Sequence, residues 1–371
     1  MFFYGTLRHV PLLEVVAGCR ADRLDLVPAT LADHRVHWVE GEPFPMIVAA
    51  EGHVAEGLLM RDIGPEEERR LDLYEGGFEY ALRPVEVTTA EGAEQARVYY
   101  PVADVLRPGA TFSLADWERE HARAALKSAA EIMEAADRLT PEDVDRLWPA
   151  MKARAFARAG AEVAAPRPAP SGLTRDDIEV REVRRPYIGF FALEEWNYRR
   201  RNFEGGWSDW LDHAIFVATD AALVLPYDPV RDEVLLIEQA RAALLARGDP
   251  APWCLEPVAG RIDAGESPET CAQRELMEEA GLEARALERI GAGYASPGDS
   301  TEFFHFFIGL CDLSHVDSHG GLDEEHEDIR SHVMPFDAAL RLADEDRLPA
   351  APLVLMLNWL ARHRDRLRQS A

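Results

Sequence analysis

Residues 260–282 read GRIDAGESPETCAQRELMEEAGL, and the rest of the chain is organised around them. Ser267 is a good N-cap and Pro268 suits the first helical position. Glu269 favours the positive end of the helix dipole, and Gly281 can close the helix in a left-handed turn, so the stretch predicts a helix over about 268–280. Within it Glu275, Glu278 and Glu279 stand at i, i+3 and i+4 and share one face, while Cys271, Leu276 and Ala280 supply an apolar side. Carboxylates crowded in this way repel one another until a cation joins them. A hard divalent ion such as Mg²⁺, held by a few carboxylates and the phosphates of a substrate, resolves the repulsion. Arg274 can hold the cluster oriented from its edge. A solvated acidic helix face would not require the glycines, the isolated Glu266 and the arginine to fall in register with the glutamates.

They do fall in register. Gly260, five residues, Glu266, seven residues, Arg274-Glu275-Leu276, one residue, Glu278-Glu279, one residue and Gly281-Leu282 resemble the full Nudix box. The resemblance implies a metal-dependent hydrolase of a nucleoside diphosphate linked to another group.

The 371-residue length suggests two domains. No apolar run approaches a membrane span, and the MFFYGTL start has neither a basic n-region nor a cleavage site, so a cytoplasmic protein without a membrane partner is expected. A net charge of -27 argues against nonspecific nucleic-acid binding, which needs a basic surface. Lysine is confined to Lys127 and Lys152, so an anionic substrate has to be met by metal ions and selected arginines. Cys19, Cys254, Cys271 and Cys311 are scattered without metal-ligand spacing and read as buried reduced thiols.

The chain opens with Phe2-Phe3-Tyr4-Gly5-Thr6-Leu7, an apolar strand broken by a glycine that lets backbone amides approach a ligand. Alternating segments at 34–39, 46–50, 54–60 and 84–100 predict a small sheet or barrel, and GPEEERRLDLYEGGFEY predicts a helix ending just after Glu75. Tyr4-Gly5-Thr6-Leu7, Glu75-Gly76, Tyr80 and Arg83 resemble the hallmarks of the γ-glutamylcyclotransferase-like (AIG2-like) family. That resemblance implies a small mixed β-barrel in which the Tyr4–Leu7 loop holds a γ-glutamyl carboxylate and Glu75 is the acid/base. From Ser113 to about Ala159 two helices are predicted, the second restarting at Thr140-Pro141; they read as packing elements without a ligand role. AGAEVAAPRPAPSG, 159–172, is the clearest boundary, giving a first domain over 1–160, a linker over 161–174 and a second domain over 175–371.

In the second domain, strands are predicted at 213–225, 232–240, in LEPVAG and on both sides of 300, with a long loop before Trp253 and two helices between 336 and 368, an α/β sandwich. YIGFF at 187–191, LPYDPVRDEVLLIEQAR at 225–241, LEPVAG, ASPGDSTE at 295–302 and GLDEEHEDIR at 321–330 are similar to the ADP-ribose pyrophosphatase branch of the Nudix family. Carried over by position, the resemblance makes the Ala259 carbonyl, Glu275, Glu279 and Glu327 ligands of Mg²⁺, for which Mn²⁺ could substitute, with Glu278 and Arg274 supporting the cluster. Glu325, or its neighbour Glu324, would activate water, Arg241 would grip the diphosphate, Phe190 would stack on adenine and Glu302 would contact the terminal ribose. Where related enzymes often place an arginine before the strand near 214, this chain has Asp212 and His213, which shifts the grip toward Arg241 or Arg199, Arg200 and Arg201.

The implied activity is hydrolysis of ADP-ribose to AMP and ribose 5-phosphate. Its rivals are another nucleoside diphosphate sugar such as GDP-mannose, a stress-response nucleotide-binding module, and γ-glutamyl chemistry in the first domain. The resemblance also implies a homodimer through the Nudix domain, and the domain pairing resembles proteins described as tellurite-resistance factors.

Overall fold

The computed structural model describes residues 1–76, 80–102, 105–165, 167, 169–322 and 327–369. Contacts divide the chain into two compact units, Met1–Ala214 and Ile215–Ala371. Among the described residues no helix is long and apolar enough to cross a membrane.

The first unit contains β1 (Phe2–Phe3), α1 (Val10–Ala17), β2 (Asp25–Val39), β3 (Pro45–Arg61), α2 (Pro65–Glu75), β4 (Tyr80–Thr89), β5 (Gly92–Pro101), β6 (Pro108–Thr111), α3 (Leu114–Glu120), α4 (Ala122–Glu134) and α5 (Pro141–Val163), followed by β7 (Ile178–Ile188) and β8 (Ala192–Arg200). Its main sheet runs β1-β3-β2-β4-β5, with β6 on β2. Every described pairing in it is antiparallel, and β1 comes close to β5 at the other end of the order. The segments expected at 46–50 and 54–60 are one strand. The polar Glu51-Gly52-His53 signal between them marks a bulge, where the Asp33 carboxylate accepts the Gly52 amide at 2.8 Å.

Alternation places Phe2, Tyr4, Leu31, Ile47 and Val98 in one core cluster and Phe3, Leu7, Leu13, Leu71, Trp117 and Ile132 in another shared with the helices. The helix predicted at Thr140 begins there with a capping box, the Thr140 hydroxyl accepting the Asp143 amide at 3.2 Å. It continues to Val163, into the stretch read as linker.

The sequence places the hairpin β7–β8 in the second domain, and contacts group it with the first unit. Buried charge explains the grouping. Arg154 of α5 is fully buried, pairs with Glu131 of α4, and donates to the carbonyls of Gly189 (3.1 Å) and Phe190 (2.7 Å) in the β7–β8 turn. Glu194 of β8 accepts from Arg158 (2.7 Å) and Arg185 (2.6 Å), and Arg185 also pairs with Glu134. Charges taken out of water in this way require their partners, so helices and hairpin hold together.

β9 (Leu211–Val217) extends the hairpin sheet and runs across the division. The second unit then contains β10 (Asp220–Asp228), β11 (Glu233–Ala240), α6 (Ala242–Arg247), β12 (Trp253–Glu256), β13 (Val258–Arg261), α7 (Pro268–Ala280), β14 (Ala286–Tyr294), β15 (Phe303–Leu310), β16 (His319–Gly320), β17 (Ile329–Pro335), α8 (Phe336–Asp344) and α9 (Ala351–Gln369). The order β14-β15-β10-β11-β17-β16 is mixed, with β10 and β15 parallel. The loop expected before Trp253 contains the short helix α6.

Strands β10, β11 and β15 read as continuous apolar runs because both faces are covered. Leu223, Leu225, Val234, Leu236 and Ile308 face the cluster containing α8 and α9, whereas Val224, Leu235, Ile237 and Phe307 face α7. This is the expected α/β sandwich. β10 and β11 pair directly only at Tyr227–Asp228 with Glu233–Val234. Beyond that they take β13 and β12 as partners, two strands separated by Pro257, which has no amide to donate. That insertion delivers Ala259 and Gly260 to α7.

The buried Arg154–Glu131 pair sets a stability test. Arg154→Met alone should destabilise the first unit by about 3–5 kcal/mol, and Arg154→Met with Glu131→Met should recover most of that loss in urea unfolding. A single variant as stable as the wild type would show the pair to be dispensable.

Candidate active site

α7 begins and ends where its caps dictate. The Ser267 hydroxyl accepts the Thr270 amide at 3.1 Å, and Gly281 sits at φ 62, its amide bonded to the Met277 carbonyl at 3.1 Å. Cys271, Ala272, Leu276 and Ala280 are buried against the sheet, which fixes the rotation of the helix and turns Glu275, Glu278 and Glu279 toward β13 and the Gly320–Leu322 segment.

Arg274 organises this face. Its Nε and Nη2 donate to the two oxygens of Glu266 (3.0 and 3.1 Å), and its Nη1 donates to Glu275 (2.6 Å) and Glu278 (2.9 Å). Nη2 also reaches the Arg261 carbonyl at 3.1 Å, tying the fork to the strand that leads into the helix. A planar guanidinium can satisfy three carboxylates in this way; a lysine ammonium lacks the geometry.

Glu279 is 2% exposed and accepts the Ala259 amide at 2.9 Å. Burial pushes its carboxyl up to about 8; the Ala259 amide and Arg241 pull down, and Glu275 and Glu327 add to the rise. Glu275 is pushed up to about 7, again chiefly by burial and against Arg274, with Glu278 and Glu327 raising it further. Gly260 makes the approach possible, because a Cβ there would collide with the Glu275 carboxylate. The Gly321 amide donates to the Glu278 carbonyl at 3.0 Å, and the Leu322 amide donates to Glu327 at 3.3 Å, which brings the Glu327 carboxylate to the same cluster.

The structure thus brings together Ala259, Arg274, Glu275, Glu278, Glu279 and Glu327, and adds Glu266 as a full partner. Arg241 adjoins them, bound through Nε to Glu256 at 2.7 Å, a pairing that no local pattern signals. Glu302 is half-buried, and no described bond joins it to the cluster. Glu324 and Glu325 lie outside the described residues. Phe190 belongs to the first unit, where it is 52% exposed and stands edge-on to Phe191 at 4.7 Å. Arg199 is engaged with Glu179 (2.7 Å) and with the rings of Trp207 and Trp210, and Arg201 with Trp207.

Among the described residues, no three His, Cys, Asp or Glu side chains are gathered in ready metal-binding geometry. Glu275 and Glu278 are drawn onto Arg274, and Glu279 onto the Ala259 amide. The donors still fit a hard divalent cation: they are all oxygen, they crowd together, and burial holds two of them near neutral pKa values, where a cation would favour the ionised form.

The first unit carries a pocket of its own, with about 80 Å³ of free volume. Tyr4, Gly5, Thr6, Leu7, Glu75 and Tyr80 line it, so the residues expected to act together do meet. The turn at Thr6–Arg8 makes its own bonds from the Arg8 and His9 amides, which leaves the Thr6 and Leu7 amides unconsumed by it. Burial pushes Glu75 up to about 7. Tyr80 donates to the Pro45 carbonyl at 2.8 Å. Arg83 is absent from the lining and instead lies over the Tyr100 ring at 4.5 Å on the outer face of β4. The helices after Ser113, read as packing elements without a ligand role, contribute Trp117, His121, Ser128, Trp148, Lys152 and Phe156 to the lining. Their helical spacing pointed to a buried face, which a core and a pocket wall share equally.

Comparison with known proteins agrees with both halves. The family model described as NUDIX domain matches residues 217–355, and that described as gamma-glutamyl cyclotransferase, AIG2-like matches residues 1–119. An ADP-ribose pyrophosphatase of Escherichia coli strain K12 is 39% identical over 194 residues, 52% of this chain and 92% of that protein. One from Haemophilus influenzae is 35% identical over 53% of this chain and 92% of its own length. A GDP-mannose pyrophosphatase of Escherichia coli O1:K1 is 34% identical over 38% of this chain and 73% of its own length. Since the first two relatives are matched over nine-tenths of their length and the NUDIX model matches the same half, the chain belongs to the Nudix hydrolase family.

Proposed function

We propose that the second unit is a divalent-cation-dependent diphosphatase that hydrolyses ADP-ribose to AMP and ribose 5-phosphate. The observation that carries this reading is the buried carboxylate face of α7, closed by Gly260 and held by Arg274, and the names of the two ADP-ribose pyrophosphatase relatives favour the substrate. The Ala259 carbonyl, Glu275, Glu279 and Glu327 would hold Mg²⁺ or Mn²⁺, with Glu278 in support. Such an ion supplies charge neutralisation at the diphosphate and lowers the pKa of water. Arg274 keeps the carboxylates oriented, and Arg241 exchanges Glu256 for a diphosphate oxygen. Glu325 or Glu324 takes the proton from the attacking water. Phe190 is assigned to the adenine and Glu302 to the terminal ribose, and the active species is a homodimer formed through the Nudix domain.

The GDP-mannose alternative is favoured only by a shorter match at lower identity. A panel of nucleoside diphosphate sugars ranked by kcat/KM decides between them, and a tenfold preference for another compound would displace ADP-ribose.

A second reading concerns the first unit, because one observation favours it specifically: Glu75 stands in an apolar pocket with the Tyr4–Leu7 turn and is pushed up to about 7 by burial. A carboxyl poised near neutrality can pass a proton in either direction. The pocket is read as a γ-glutamylcyclotransferase site that releases 5-oxoproline.

Two outcomes are expected. Glu279→Gln should lower kcat/KM for ADP-ribose by about a thousandfold or more while leaving the melting temperature near that of the wild type, since a buried carboxylate is replaced by a neutral isostere. Near-native turnover would contradict the ligand assignment. In the first unit, the raised pKa of Glu75 means that the folded state holds this proton more tightly than the unfolded chain does. The resulting stability is present below the usual carboxyl range and lost as pH rises through about 7. Glu75→Gln should therefore end 5-oxoproline release and also lose less stability than the wild type between pH 5 and pH 8. Identical pH profiles of melting would remove the basis for the acid/base role.

A further inference from the structure

The pocket of the first unit is lined by more of the chain than the family likeness covers. The AIG2-like match ends at residue 119, yet eight of the twenty-two lining residues come later in the chain, from α4, α5 and the junction before α4. Its lining joins Glu75, Tyr4, Tyr80 and the Gly5–Leu7 turn to Trp117 and, from α5, Trp148 and Phe156. The wall is fixed rather than adaptable. The Trp117 ring N–H donates to the Pro43 carbonyl at 2.9 Å, and α5 is anchored by its capping box and by the buried Arg154. The polar side chains that the segment after residue 119 adds to the lining are few. Lys152 is held by Glu42 at 3.0 Å, the Ser128 hydroxyl donates to the Ala125 carbonyl at 3.1 Å, and His121 stands between the rings of Trp38 and Phe156. Its buried Nδ1 has no hydrogen-bond partner among the described residues.

We propose that α4 and α5 make this a site for γ-glutamyl amides whose amine half is aromatic, that half lying against Trp117, Trp148 and Phe156 while the γ-glutamyl half meets Glu75 and the Tyr4–Leu7 turn. The inference rests on the cyclotransferase reading of the first unit. The α-amine nitrogen of the substrate attacks its own side-chain carbonyl carbon, and the new C–N bond closes the lactam of 5-oxoproline. The amide C–N bond to the amine half breaks, and the proton lost by the attacking nitrogen passes through Glu75 to the departing nitrogen. No oxidant or co-reactant enters. An apolar ring buried against a rigid aromatic wall discriminates by more than tenfold against a substrate that leaves the wall uncovered.

The full-length protein is assayed for 5-oxoproline release from L-γ-glutamyl-L-phenylalanine and L-γ-glutamylglycine, which differ only in the benzyl group. The expected result is a kcat/KM at least about tenfold higher for the phenylalanine compound, falling to a ratio below about threefold in Phe156→Ala. Equal rates in the wild type, or a preference for the glycine compound, would overturn the proposal and leave the cyclotransferase reading standing. Release from neither compound would overturn both. The wild-type comparison needs no variant, so the test survives a Phe156→Ala protein that fails to fold.

Discussion

Carboxylates forced together on the buried side of one short helix are the constraint on which the second unit depends. α7 cannot turn them away, because Cys271, Leu276 and Ala280 commit its other side to the sheet. It cannot solvate them either, because β13 covers Glu275 and Glu279. Arg274 relieves part of the repulsion by forking between Glu266, Glu275 and Glu278, but Glu279 stays outside its reach and takes only the Ala259 amide among the described bonds. A core designed for stability alone would bury none of these acids. In the proposed reading the arrangement gains its sense from a divalent cation, whose positive charge is complementary both to the cluster and to a substrate phosphate.

The sheet exists to hold that helix against that strand. β10 and β11 share only a short hairpin and then part, and β12 and β13 enter between their outer edges. Pro257 separates the inserted strands, and β13 sets Ala259 and Gly260 against the glutamates. The first unit follows a comparable logic with different means. Glu75 at the end of α2 and the turn after β1 line its pocket, and the later helices add further wall.

Much of this was legible in the sequence where local chemistry decides the outcome. The span of α7, its caps and its shared acidic face follow from Ser267, Pro268, Gly281 and helical spacing, and α2 ends at Glu75 as its glycines suggest. The two-faced core of the second unit follows from uninterrupted apolar strands. Features that depend on distant partners were not legible. Glu51-Gly52-His53 reads as a turn because nothing nearby reveals that Asp33 will receive the Gly52 amide. The grouping of β7 and β8 with the helices is set by Arg154, Arg158 and Arg185, each an ordinary helical or strand arginine until its partners are known. Glu256 as the partner of Arg241, and Trp148 and Phe156 as pocket walls, were invisible for the same reason.

The most direct test of the central claim is the binding of Mn²⁺ to the full-length protein, followed by electron paramagnetic resonance with Mg²⁺ as competitor. The account predicts saturable binding that Mg²⁺ displaces and that falls at least about tenfold in Glu275→Gln. Binding of undiminished strength in that variant, or none in the wild type even with a nucleoside diphosphate sugar present, would contradict it.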